Sequence, residues 1–193
     1  MGKTTPDLMK EFQTSCPSAE DGKGGQVIFP FGPCVYSTFI SDDLKKSLLR
    51  EGNKIRKREE HKFSKHLAGN MYFGGSYNYS DEYIESVHEE FADILFNWFD
   101  FMSSHYGPKR LNFAPGKEKF GISLQNLWVN YQKRYDHNPS HQHGGIVSFV
   151  IYLKVPEVIF KEQAESNVKS AGHLFFRYGE SISPLCVREW DVT

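Results

Sequence analysis

Two imidazoles two residues apart stand in the stretch Asn138-Pro139-Ser140-His141-Gln142-His143-Gly144-Gly145. Side chains alternate across an extended backbone, so His141 and His143 share a face if the chain is extended there. Imidazole is the commonest protein ligand for divalent metals, and two on one face can chelate. The run that follows, Ile146-Val147-Ser148-Phe149-Val150-Ile151-Tyr152-Leu153, is rich in β-branched and aromatic residues and reads as a buried strand. The pair would then sit at the mouth of a core strand, where a metal is held rigidly and small molecules can reach it. Two exposed loop histidines beside Pro139 and a glycine pair are the competing reading. A catalytic metal takes three protein ligands and keeps a position open. Asp136 and His137 just upstream, or His173 further on, could supply the third. The cysteines, Cys16, Cys34 and Cys186, lie too far away in sequence to suggest a structural zinc site.

The upstream segment could furnish a pocket. Residues 121–135 read as one long strand from Ile122 to Tyr135, with Leu124, Asn126, Trp128, Asn130 and Gln132 on one face. Three amide side chains beside a tryptophan would line a polar pocket. A solvated face with one exposed tryptophan fits the same pattern.

Other elements must hold these segments in place. Residues 1–25 are polar and turn-rich and read as irregular, and residues 26–193 as a single domain. Gly2-Lys3-Thr4 lacks the strand and upstream glycine of a phosphate-binding loop. Val27-Ile28-Phe29 and Cys34 to Phe39 read as two short strands. Ser41-Asp42-Asp43 starts a helix whose stripe is Leu44, Leu48 and Leu49. Lys54 to Glu60 is a charge run that reads as a solvated helix end. His66 to Tyr79, rich in glycine and tyrosine, reads as a loop. Ser80 then caps the strongest helix, with Tyr83, Val87, Phe91, Ile94, Leu95, Trp98, Phe99 and Met102 at helical spacing. That stripe is core packing, and His88 and His105 on the same helix read as structural or exposed. A polar linker, Lys161 to Ser170, leads to a further strand at Ala171 to Phe176.

Composition narrows the class. Aromatic residues make up 15% of the 193, with 16 Phe and 10 Tyr, which leans toward a β-rich core. The expected fold is mainly β with flanking α-helices, a sandwich or barrel. A net charge of -1 gives no global basic field, which argues against nucleic acid as a partner. No apolar run approaches the ~20 residues of a membrane span. The N-terminus lacks a signal peptide's apolar core, and three scattered cysteines suit a reducing compartment, so a cytoplasmic protein is expected.

Taken in order, several segments resemble the 2-oxoglutarate/Fe(II) oxygenases of bacteriophages and marine bacteria, distant relatives of prolyl 4-hydroxylases. They are Phe29-Pro30-Phe31-Gly32, His66-Leu67-Ala68-Gly69-Asn70, the aromatic helix, Trp128-Val129-Asn130, His141-x-His143, Ser148 to Leu153 with Pro156, and Ala171 to Gly179. The resemblance implies a double-stranded β-helix, a jelly-roll or cupin-like barrel with iron at its mouth. It implies Fe(II) and 2-oxoglutarate as cofactors, O2 as co-reactant, and hydroxylation of a protein side chain or small molecule. His141 falls at the first ligand. His143 stands where the family has Asp or Glu. Trp128, Asn130 and Gln132 would line the cosubstrate pocket. The chain ends before the strands that carry the family's distal histidine and basic residue, so the expected barrel is incomplete at its C-terminus. An exposed sheet edge of that kind would favour a homodimer. Competing functions are a non-catalytic or degenerate binding barrel, and a cupin-like metal enzyme that does not use 2-oxoglutarate.

Overall fold

The computed structural model describes residues 18–20, 26–28, 35–62, 73–106, 121–141, 143–145, 147–167, 170–178 and 188–192. The chain divides into two compact units, one of Met1–Phe39 with Val147–Thr193, the other of Ile40–Ile146.

In the first unit, β1 (Ser18–Glu20), β2 (Gln26–Ile28) and β3 (Val35–Ser37) form an antiparallel meander. Val27 pairs with both Ala19 and Tyr36. In the later part of this unit, β6 (Leu174–Tyr178) pairs antiparallel with β7 (Arg188–Val192). Helix α3 (Glu157–Glu165) occupies part of the stretch read as a polar linker. Its Gln163 side chain donates to the Ala171 carbonyl at 2.7 Å, tying it to the turn before β6. Gly172 is required in that turn. Its φ is 75°, and a Cβ there would lie 2.9 Å from the Ile159 side chain.

The second unit holds α1 (Asp42–Ile55), a 3-10 turn (Glu59–His61), β4 (Gly75–Asn78), α2 (Asp81–Tyr106) and β5 (Trp128–Tyr131). Both helices begin where the sequence places caps. The Ser41 hydroxyl accepts the Leu44 N–H at 3.0 Å, and that of Ser80 accepts the Tyr83 N–H at 3.3 Å. Leu44, Leu48, Gly52 and Ile55 form the buried face of α1, and Val87, Phe91, Phe99 and Met102 the buried residues of the predicted α2 stripe. Strands β4 and β5 pair antiparallel, Ser76 opposite Asn130 and Asn78 opposite Trp128. Gly52 lets α1 approach them closely: a Cβ there would lie 2.9 Å from the Tyr131 hydroxyl and 3.1 Å from that of Tyr79.

Four expectations are corrected. The protein is not mainly β, nor a jelly-roll or double-stranded β-helix barrel. Its described strands run three to five residues in one three-stranded and two two-stranded antiparallel sheets, beside helices of 14, 26 and 9 residues. A barrel needs a sheet closed on itself, and none of these sheets is large enough to close. The segment after the histidines is not a buried strand. Its described residues form no ladder, and Val147, Phe149, Val150 and Tyr152 are all exposed, Val150 at 60%. A β-branched run becomes a strand only where a neighbour accepts its hydrogen bonds. The long strand from Ile122 to Tyr135 contracts to the four residues of β5, because β4 offers only four partners. Conversely, β4 arises inside a stretch read as loop, where Gly74 and Gly75 hid the strand.

Tyr79 links these layers, donating its hydroxyl proton to the Leu48 carbonyl at 2.9 Å from a buried ring. Burial raises its pKa above the ordinary value of 10.0, and the neighbouring Tyr83 and Tyr131 hydroxyls push it the same way. A raised acid pKa contributes stability that is full below the unfolded value and lost as pH rises past it. Denaturation midpoints should therefore fall above pH 10. Tyr79→Phe should show a shallower fall, from a neutral-pH stability already lower by about 1–3 kcal/mol because the Leu48 carbonyl is left unpaired. Urea melts at pH 7 and pH 11 check both.

Candidate metal centre

The approach to the histidine pair is a fixed turn. After β5, the Asp136 N–H donates to the Lys133 carbonyl at 3.0 Å, and the Asp136 carboxylate accepts the Lys133 N–H at 2.9 Å and the Phe73 N–H at 3.0 Å. Asp136 was a candidate third ligand, but its two oxygens are committed to backbone donors on either side of the turn. That carboxylate holds the loop instead. Tyr135 takes a φ of 72° inside this turn.

Beyond it, His141 and His143 come together. Their ring centroids lie 4.5 Å apart, edge to face at 70°. The His141 Nδ1 lies 2.7 Å from the Pro139 carbonyl. A carbonyl only accepts, so Nδ1 must carry the proton and the lone pair falls on Nε2. A carbonyl fixing one ring nitrogen so that the other can ligate is a recurring feature of metal-binding histidines. His143 lies against Trp128, with centroids 5.7 Å apart and rings within 30° of parallel. Desolvation, and then the charge of His141, lower the His143 pKa below the ordinary histidine value, favouring the neutral ring a metal needs.

The other predicted site residues divide. Trp128 lies against His143. Asn130 is exposed, and its side-chain oxygen accepts the Ser76 hydroxyl at 2.6 Å, so it bridges β5 to β4. Gln132 and His137 are exposed. His173 belongs to the other unit, where its ring lies 6.3 Å from that of Phe175. Among the described residues no group of three His, Cys, Asp or Glu side chains is placed to hold a metal ion. His141 and His143 are thus a pair of candidate ligands with no third placed beside them among the described residues of their unit. The three cysteines and His105 lie outside the residues whose side chains are described. His88 is structural: its Nε2 donates to the Ile122 carbonyl at 2.7 Å, pinning the segment before β5 against α2.

No helix among the described residues is long and apolar enough to cross a membrane. Compared with family models, curated proteins and solved structures, the chain matches none.

Proposed function

We propose that His141 and His143 bind a divalent metal, and that the protein is a non-heme Fe(II)- and 2-oxoglutarate-dependent oxygenase. One observation carries the metal reading: two imidazoles 4.5 Å apart, one of them locked by Pro139 into the tautomer that leaves Nε2 free to ligate. The oxygenase chemistry rests on the sequence resemblance, in which the iron holds a chelating cosubstrate and oxygen beside its protein ligands. When bound, Fe(II), 2-oxoglutarate and O2 together supply oxidative hydroxylation of a C–H bond.

The chain's own residues have narrower tasks. His141 and His143 hold the metal. Trp128 walls one side of His143 and restricts how far that ring can turn. Asn130 commits its oxygen to Ser76, which leaves its NH2 group as a donor suited to a carboxylate, and Gln132 offers a second exposed amide. Two ligands rather than three also support a second reading, a metal-binding module without turnover.

Anaerobic titration of the purified chain with Fe(II) and 2-oxoglutarate separates the two. A visible charge-transfer band that needs both components supports the oxygenase. Metal binding without that band supports the module, and no metal binding at all overturns both.

A further inference from the structure

The charge run at the end of α1 does not stand alone in the fold. The Arg56 guanidinium lies over the Tyr131 ring, 4.4 Å from its centroid, and the Tyr131 hydroxyl donates to the Asn53 side chain at 3.2 Å. The end of α1 is therefore packed on the end of β5. Lys133 and Arg134 follow two and three residues later, and the Arg134 guanidinium lies 5.0 Å from the centre of the Tyr135 ring. The basic end of α1 thus packs on Tyr131, two residues before Lys133.

Three features set this surface apart from a solvated face. Arg56, Lys57, Arg58, Lys133 and Arg134 are all exposed, and none pairs with a carboxylate among the described residues, whereas Lys54 is taken by Glu51 at 2.8 Å. The nearby Asp136 carboxylate is occupied by backbone N–H groups. Glu60 is an exposed acid on the α1 side. Most telling is Tyr135. Its ring is 74% exposed, and it holds a left-handed φ of 72°, rare for a residue with a large side chain. The turn that holds this conformation is closed by Asp136, and it leaves the aromatic ring open to solvent. The chain's net charge is only -1, so the positive charge is local to this surface.

We propose that this surface binds single-stranded nucleic acid. Guanidinium and ammonium groups take the phosphates, and an exposed ring offers a base a stacking face. An acidic polypeptide would satisfy the charges but leave Tyr135 without a role. The proposal reverses the expectation drawn from net charge, and it is independent of metal binding.

Fluorescence anisotropy with labelled oligo(dT) and oligo(U) of ~20 nucleotides tests it on the full chain, a length that spans one or more typical single-strand sites. Binding should weaken steeply with salt. Lys133→Gln with Arg134→Gln should reduce the slope of log K against log salt by about 1.4, at ~0.7 per lost phosphate contact. Tyr135→Ala should weaken binding about 5- to 50-fold with that slope unchanged, the signature of lost stacking. Both variants are at exposed positions, and a far-UV spectrum confirms that they fold. Absence of binding at low salt, variants that bind as wild type does, or equal competition by polyglutamate would each overturn the proposal.

Discussion

Replacing His141 with alanine should abolish the metal centre while leaving the fold intact. The residue is exposed, and its Nδ1 makes one bond, to the carbonyl two residues before it, so little stability depends on it. Its Nε2 is one of the two ligands proposed, and loss of one leaves a lone imidazole. The affinity for Co(II), a spectroscopic stand-in for Fe(II), should fall by roughly 100-fold or more, beyond what loss of an outer-shell partner costs. Trp128→Ala removes no ligand but frees the His143 ring, and about tenfold weakening is expected, the scale of a lost outer-shell contact. His137→Ala, at an exposed histidine outside the pair, should bind as wild type does and so controls for adventitious metal. Titration followed by the visible Co(II) bands checks all three. If His141→Ala binds Co(II) as tightly as His137→Ala, the pair is not a metal site.

The difference between what the sequence revealed and what it concealed follows from the range of the forces involved. Caps are local: Ser41 and Ser80 each bond to a backbone N–H three residues on, and both helices start where those residues stand. The buried stripe of α1 was read correctly at Leu44 and Leu48, whereas Leu49 is only half-buried and Gly52 takes its place against the tyrosines. The histidine pair was also legible, because two residues of spacing keep the rings near each other in most extended conformations.

Strands are another matter. Residues 146–153 have the strongest β-propensity in the chain and form no ladder among their described members, while Gly75–Asn78 has little and does pair. Propensity describes how a side chain fits a pleated surface, but it cannot say whether a partner strand arrives. The barrel expectation failed for that reason, since it summed several strong local runs into a closed sheet. Asp136 failed as a third-ligand candidate for a related reason. Asp136 has the right chemistry at the right distance in sequence, but the turn it closes consumes both its oxygens. The contact of Arg56 with Tyr131 is invisible in the sequence for the same reason, since it forms only when the end of α1 packs on β5.

Leu48 is a position where a single truncation should cost a large share of the stability. The side chain is 2% exposed in the middle of the buried face of α1, and its own carbonyl receives the Tyr79 hydroxyl. Leu48→Ala removes three buried carbons and leaves a cavity bounded by helix and ring, so a loss of about 3 kcal/mol is expected within a range of 2–5. Against a typical total of about 5–15 kcal/mol, that is enough to lower the urea midpoint markedly. Leu49→Ala, one residue on and half-buried, should cost less than about 1 kcal/mol because neighbouring side chains and water can fill the space. Trp98 and Trp128 lie in this unit and Trp190 in the other, so tryptophan fluorescence in a Trp190→Phe background reports its unfolding directly. Equal costs at the two leucines would mean that α1 does not pack by this face. The contacts of Arg56 and Asn53 with Tyr131, on which the basic surface depends, would lose their support at the same time.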